Sequence, residues 1–217
     1  MHIIDVLYNK YYLPTIINRF ILRNKNRNTD FSLLTANCMG GYIYHQLGVK
    51  FASPTINLMM SQKDFYKYIA NIDYYNGLKF QDLGFQGGVP VGLLGDLTIN
   101  FTHYKSFDDG ANSWYKRAKR INPHKLYIIA TDRDGVSYDD IKTLASIKCA
   151  KLLVFTAKQY DLPFCFKVDA FDGCDQIGNI MGKTISGKWR FEKFFDFCRW
   201  LNDDDPIAEH FKIHRTI

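Results

Sequence analysis

Residues 31–41 read FSLLTANCMGG, and this stretch decides how the rest of the chain is interpreted. Its first six residues form a short apolar run with polar residues on both sides, which is typical of a buried strand. An Asn-Cys pair and two glycines then lead into a helical stretch, Tyr42–Leu47, that Gly48 is placed to close. A buried strand that turns tightly into a helix predicts an α/β fold.

Strand and helix patterns alternate along the rest of the chain. We predict further strands at Ser53–Leu58, Leu97–Thr102, Leu126–Ala130 and Leu152–Phe155. We predict helices at Ser61–Tyr75, at Phe107–Ile121 and from Ser137 onward. The strands are apolar throughout, as expected for a parallel sheet that is covered on both faces. The sequence therefore predicts a three-layer α/β/α fold with a mostly parallel central sheet, and a loop over the glycine-rich residues 84–95.

The chain has 217 residues, of which 47% are hydrophobic, so it can bury a substantial core. It shows no internal repeat and no linker composition. We therefore expect an N-terminal helical appendage over residues 1–30 and a single α/β domain over residues 31–217. A C-terminal helix, roughly Arg190 to Leu201, is dense in Phe and Trp and is expected to pack onto the body.

The formal charge of +6 favours an anionic partner, such as a phosphate-bearing donor or an acidic glycan. The cationic residues are dispersed and match no nucleic-acid motif, so we predict no nucleic-acid partner. The five cysteines contain no CxxC pair, which argues against a common zinc site. No secretory signal and no membrane-spanning apolar stretch are evident, so a reducing cytoplasm is expected.

The N-terminal helix carries an apolar face and several cationic residues. Ile16, Ile17, Phe20 and Ile21 fall on one helical face, and arginines such as Arg23 supply positive charge. Two interpretations remain open: the helix packs on the domain, or it makes a peripheral contact with an anionic membrane surface. The second would place the protein at the inner face of the membrane.

Polar residues follow three of the predicted strands. Cys38 follows the first, His103 ends the strand from Leu97, and Asp132 ends the strand from Leu126. Because ligands of parallel α/β sheets bind at the carboxyl ends of the strands, we expect these groups to converge. Cys38 would be the nucleophile, His103 the base and Asp132 the group that orients the base. The alternative is that Cys38 is an inert thiol in a tight turn.

The turn itself suggests an anion-binding cradle. The helix N-terminus would lower the pKa of the thiol, and Asn37 with the backbone amides of Gly40 and Gly41 would hold an oxyanion or a phosphate. Further candidates for substrate or anion binding are Ser53, Arg117 and Arg133.

Asp132 and Asp134 also form a D-x-D pair. Such a pair can hold Mg²⁺ or Mn²⁺ against a nucleotide-sugar, because hard cations prefer carboxylate oxygen. This alternative is a metal-dependent glycosyltransferase. The Asp-Arg-Asp-Gly sequence is equally typical of a β-turn. A third interpretation is a non-catalytic glycan- or phosphate-binding protein.

Several segments together resemble a bacterial family of unknown function whose members are often labelled exopolysaccharide or capsule biosynthesis proteins. The segments are Asn37–Tyr44, Leu47-Gly48, Ser53–Ile56, Asp64-Phe65, Pro90–Gly92, His103-Tyr104, Trp114 with Arg117, Arg120–Asn122 and Asp132–Gly135. The resemblance implies an enzyme of surface-polysaccharide biosynthesis. Together with Cys38, it leads us to expect an acyl-type transferase or hydrolase that acts on a glycan or its activated precursor. The donor would be of the acyl-CoA type, and no cofactor is firmly implied.

Overall fold

The computed structural model describes residues 13–182, 184 and 188–202, so residues 1–12 of the expected N-terminal extension lie outside the described residues. The α/β fold class is confirmed. The helices are α1 Leu13–Lys25, α2 Met39–Leu47, α3 Gln62–Ala70, α4 Ile72–Gly77, α5 Phe107–Ala118, α6 Tyr138–Thr143 and α7 Phe197–Asn202. The strands are β1 Ser32–Thr35, β2 Gln81–Gln86, β3 Val89–Leu94, β4 Leu97–Asn100, β5 Leu126–Thr131, β6 Lys151–Thr156 and β7 Cys165–Lys167.

The chain divides into two compact units. The larger unit holds residues 30–42 and 51–177, and the smaller one holds the described residues of 1–29, 43–50 and 178–217. One unit boundary falls between Thr29 and Asp30, next to the boundary expected from the sequence. The grouping of residues 43–50 and the C-terminal segment with the N-terminal helix was not indicated by the order of the chain.

A parallel sheet with the order β1-β5-β6-β7 forms the centre of the larger unit. Leu34 pairs with Ile128, and Ile128 pairs with Leu152. All residues of β1 and β5 are buried, in agreement with the apolar residues at their centres. The carboxyl ends of β1 and β5 therefore lie side by side at one edge of the sheet, where Cys38 and Asp132 follow them.

A second, antiparallel sheet has the order β2-β3-β4. The loop predicted over residues 84–95 is wrong, because most of this segment forms the hairpin of β2 and β3. Gly87 and Gly88 have φ values of 58° and 83°, and glycine adopts such values without steric cost. The strand from Leu97 belongs to this sheet and not to the parallel one. Only Gly95 and Asp96 separate it from β3, a connection far too short for a parallel crossover.

The strand predicted at Ser53–Leu58 is also wrong, because this segment is a turn. Ser53 Oγ lies 3.1 Å from Thr55 Oγ1, which accepts a hydrogen bond from the Thr35 amide. Asn57 has a φ of 63°, which a strand does not allow. The buried side chains of this segment therefore pack in a turn and not in a sheet. Met59, the residue after the segment, forms an isolated β-bridge to Asn100.

The predicted helices are confirmed in position, but their bounds differ from those expected. The helix expected over Ser61–Tyr75 breaks at Asn71 into α3 and α4, and the helix from Phe107 ends at Ala118. Ser61 caps α3 by accepting a hydrogen bond from the Asp64 amide. The expected C-terminal helix is a 3₁₀ turn, Arg190–Lys193, followed by the short α7.

The smaller unit is built around α1 and α7. The Asn202 side chain accepts hydrogen bonds from the amides of Arg27 and Asn28 and donates one to the Lys25 carbonyl. The buried Leu22 lies on the same side of α1, where its carbonyl is 3.8 Å from Cys198 Sγ. In the part of the chain that the structure describes, no helix is long and apolar enough to cross a bilayer.

Candidate functional site

The thiol of Cys38 contacts the imidazole of His103. Cys38 Sγ lies 3.1 Å from His103 Nε2, within hydrogen-bond distance for sulfur. Cys38 is half-buried and His103 is exposed, so a molecule from solution can reach the pair. Of the three residues predicted to converge, the structure brings these two into contact.

Hydrogen bonds within the turn hold Cys38 in place. Thr35 Oγ1 accepts from the Gly40 amide at 3.0 Å and donates to the Asn37 carbonyl at 2.7 Å. Asn37 Oδ1 accepts from the Met39 amide at 2.9 Å. The Asn37 side-chain NH₂ group makes no hydrogen bond to any described residue.

The two glycines let the start of α2 approach its neighbours closely. A Cβ on Gly40 would lie 2.9 Å from Thr35 Oγ1, and one on Gly41 would lie 3.1 Å from Ile56. Both glycines are buried. The expectation that the Gly40 amide holds an anion is therefore wrong for this conformation, since that amide donates to Thr35. The glycines serve packing.

His103 is held by the turn that precedes α3. Its amide donates to the Asn57 carbonyl at 3.3 Å. The neighbouring Tyr104 hydroxyl donates to the Ile56 carbonyl at 3.1 Å. Arg117 Nη1 donates both to this carbonyl at 3.0 Å and to the Tyr104 hydroxyl at 2.6 Å. Arg117, which was predicted to bind substrate, is thus engaged in supporting the loop that carries His103.

Burial raises the pKa of the Cys38 thiol, and the nearby Thr102 hydroxyl opposes this increase. The pKa decrease expected from the helix N-terminus is not found, because the amides of Met39 and Gly40 bond to Asn37 and Thr35 instead of stabilising a thiolate. The Cys38 thiol is therefore protonated at neutral pH and lies within hydrogen-bond distance of His103 Nε2. Thr102 Oγ1 is buried and has no hydrogen-bond partner of regular geometry among the described residues.

Asp132 does not orient His103. Its Oδ2 accepts from the Ala157 amide at 2.7 Å and its Oδ1 accepts from the Ile177 amide at 2.8 Å. Burial raises the pKa of this carboxyl, and these backbone hydrogen bonds oppose the increase. The side chain is 3% exposed, and both of its oxygens connect buried backbone. No hydrogen bond to His103 carries the predicted orienting role, since the described hydrogen bonds of the Asp132 carboxylate go to backbone amides.

Asp134 closes a turn and caps a helix. Its φ is 61°, that of Gly135 is 71°, and its Oδ2 accepts from the Gln62 amide at the start of α3 at 2.9 Å. This geometry agrees with the β-turn interpretation of the D-x-D sequence. Within residues 13–182, 184 and 188–202, no group of three or more His, Cys, Asp or Glu side chains is placed to hold a metal ion.

Ser53 and Arg133, the remaining predicted binding residues, make no hydrogen bond to Cys38 or His103 among the described residues. Ser53 is fully buried and bonds to Thr55. Arg133 is half-buried, and its Nε has no hydrogen-bond partner in the described part of the chain. Sequence reasoning missed Thr35, Asn57 and Thr102. Adjacency to His103 could have indicated Thr102, whereas nothing in the sequence indicated the role of Asn57.

The family model DUF1919, a domain of unknown function, matches residues 9–202. A protein of Haemophilus influenzae that carries the name "Uncharacterized protein" is 35% identical over 190 residues, which cover 86% of this chain and 90% of the relative. The match of the family model includes Cys38, His103 and every element described above. The chain therefore belongs to the DUF1919 family.

Proposed function

We propose that the protein is a cysteine-dependent transferase or hydrolase of the acyl type, with Cys38 as nucleophile and His103 as general base. The observation that carries the proposal is the 3.1 Å distance between Cys38 Sγ and His103 Nε2. A nucleophile and a base within hydrogen-bond reach, open to solvent, are the minimum arrangement for covalent acyl transfer.

The protonated thiol of Cys38 defines the order of steps. Sγ attacks the carbonyl carbon of the acyl donor while the thiol proton passes to His103 Nε2. The tetrahedral intermediate then collapses to a thioester, and the leaving group takes the proton from the imidazolium. A hydroxyl or water attacks the thioester, His103 accepts its proton, and the thiol takes that proton back as the acyl product leaves. The Asn37 NH₂ group is the donor available for the developing oxyanion.

We further propose a glycan or its activated precursor as the acyl acceptor and the cytoplasm, at the inner face of the membrane, as the place of action. The set of family-like sequence segments that runs from Asn37 to Asp134 supports the glycan acceptor. The five cysteines support the cytoplasm as the place of action, since all are free, as is usual in a reducing compartment.

Trapping the thioester tests the proposal. We expect acetyl-CoA or p-nitrophenyl acetate to add one acetyl group to Cys38, as read by intact mass and peptide mapping. Cys38→Ala should abolish the adduct. His103→Gln should slow its formation by about 10²-fold, because the general base is lost.

Cys174 provides the matched control, since it is the exposed free thiol of the larger unit. Cys174→Ala should leave the Cys38 adduct unchanged. If wild-type protein forms no adduct with either donor, or if Cys174 takes the acetyl group in preference to Cys38, the covalent mechanism is wrong.

A non-catalytic glycan- or phosphate-binding protein is the second candidate. The raised pKa of Cys38 favours it, because a protonated thiol is inert without a substrate-driven proton transfer. In that case isothermal titration with inorganic phosphate or an acidic oligosaccharide should detect binding to wild type and to Cys38→Ala alike.

A further inference from the structure

Helix α1 exposes one continuous apolar face. The members of this face lie at helical spacings of three, four, seven and eight residues, with exposures from 41% at Leu13 to 68% at Phe20: Leu13, Ile16, Ile17, Phe20 and Ile21. These residues are half of the large hydrophobic side chains that are exposed in the described chain. A run of this kind on one helix marks an interaction surface.

The opposite face of α1 anchors the helix within its own unit. Leu22 is buried there, and Asn18 Nδ2 donates to Glu192 Oε2 at 3.3 Å. Arg23 donates to the carbonyls of His45 and Gln46 at the end of α2. These contacts fix one side of α1, and the apolar face stays exposed among the described residues, with Ile17 and Ile21 also lining a cavity beside Glu192.

The charge around this face is positive. Helix α1 contains no acidic residue, and its spacing places Arg23 at one border of the apolar face and Lys25 at the other. The described residues of the smaller unit carry nine cationic and two acidic side chains, whereas the larger unit carries fifteen of each. The positive charge of the described chain is therefore concentrated in the unit that exposes the apolar face.

We propose that α1 docks on an anionic lipid bilayer. Its apolar face would lie at the level of the upper acyl chains, parallel to the surface, and the bordering Lys25 would contact lipid phosphates. This inference does not depend on the chemistry of Cys38 and His103, because α1 and that pair belong to different units and the vesicle experiment measures no turnover.

The observations favour a bilayer over other partners. In a symmetric dimer, two copies of this face would bring arginine and lysine side chains together with no acidic residue on the helix to pair with them. A polyanion in water would satisfy the cations but would leave the apolar side chains exposed. An anionic bilayer offers negative headgroups and an apolar layer at the same time.

Vesicle co-sedimentation of the full chain tests the proposal. We expect binding to vesicles of phosphatidylcholine mixed with phosphatidylglycerol, and weak binding to vesicles of phosphatidylcholine alone. Phe20→Ser should lower the partition coefficient about tenfold, because a large apolar side chain no longer enters the interface. Lys25→Gln should lower it about fivefold, and only at low salt.

Phe85 is the matched control, since it is 66% exposed in β2 of the larger unit. Phe85→Ser should bind the mixed vesicles like wild type. Circular dichroism and thermal unfolding should show that each variant is folded. The proposal is overturned if wild type fails to bind the mixed vesicles or if both phenylalanine variants lose binding equally. It is also overturned if Phe20→Ser only dissociates an oligomer in sedimentation velocity.

Discussion

Cys38 Sγ and His103 Nε2 lie 3.1 Å apart although 65 residues separate them and the strands before them belong to different sheets. Cys38 is held by the end of the parallel sheet, and His103 is held by a loop that follows the antiparallel one. The pair thus depends on two separate supports, and the turn around Asn57, which lies close to Gly41, accepts a hydrogen bond from the His103 amide.

The reactivity of the thiols should follow their burial. Because burial raises the pKa of Cys38, and raises those of Cys149 and Cys165 to about 11 and about 12, few of these thiols are ionised at neutral pH. Each unit of increase lowers the thiolate fraction about tenfold. With iodoacetamide at about pH 8, peptide mass spectrometry should show Cys174 modified first. Faster modification of Cys38 would instead indicate a thiolate–imidazolium pair at rest.

Asn37→Ser separates capping from catalysis. Serine can still accept the Met39 amide, so the free energy of unfolding should change by less than about 0.5 kcal/mol. The NH₂ group is lost, so the rate of acetylation of Cys38 should fall about 10²-fold. Asn37→Ala, which loses both groups, should also cost about 1 kcal/mol of stability. An unchanged rate in Asn37→Ser would exclude the side chain from oxyanion stabilisation.

Gly40→Ala should destabilise the protein by about 1–3 kcal/mol, measured by urea unfolding. The new methyl group would lie 2.9 Å from Thr35 Oγ1 and would displace the hydroxyl that bonds to Gly40 and Asn37. Gly77→Ala is the control, since a Cβ there meets nothing within 4 Å. The free energy of unfolding of Gly77→Ala should lie within about 1 kcal/mol of that of wild type. Equal effects at the two positions would show that the close approach at Gly40 is unimportant.

Asp132→Asn should cost about 1–3 kcal/mol of stability, because the amide can accept from only one of the Ala157 and Ile177 amides with its oxygen. Folding favours the protonated form of a carboxyl whose pKa is raised. The stability advantage of wild type over Asp132→Asn should therefore shrink as the pH rises above about 4, as urea unfolding would show. Acetylation of Cys38 should persist in the folded variant. If Asp132→Asn were as stable as wild type but Cys38 were no longer acetylated, Asp132 would take part in the chemistry.

Local signals predicted much of the fold. The central residues of strands β1, β5 and β6 are apolar because both faces of these strands are buried, and this pattern is visible in the sequence. Ser61, Ser106 and Ser137 stand at the start of the predicted helices, and each accepts a hydrogen bond from the amide three residues later. These features depend on neighbours in the chain and so can be inferred from it.

Features that depend on distant partners were not predictable. The glycines at 87 and 88 look like loop residues until their positive φ values place them at the tip of a hairpin. Ser53–Leu58 has the composition of a strand, yet its hydroxyl groups bond to one another and to β1. Asp132 follows a strand in the manner of a catalytic residue, and only the positions of Ala157 and Ile177 show that it is a structural acceptor.

His103 was paired with Cys38 for a reason that is partly wrong. The sequence suggested that both residues follow strands of one parallel sheet, whereas His103 follows β4 of the antiparallel sheet. The contact arises because the His103 amide bonds to Asn57, and Tyr104 and Arg117 fix the same turn. The sequence was enough to single out the cysteine and the histidine. The hydrogen bonds that bring them together are a property of the tertiary structure.

The division of the pair between two sheets has a consequence for refolding. Strands β2 to β4 are joined by tight turns and can form rapidly, whereas β1 must find β5 across a long stretch of chain, with Ser32 opposite Leu126. The thiol and the imidazole can meet only after the slower pairing is complete. In a refolding time course, the capacity of Cys38 to be acetylated should therefore return with the slowest kinetic phase, after the hairpins have already restored their share of the circular dichroism signal.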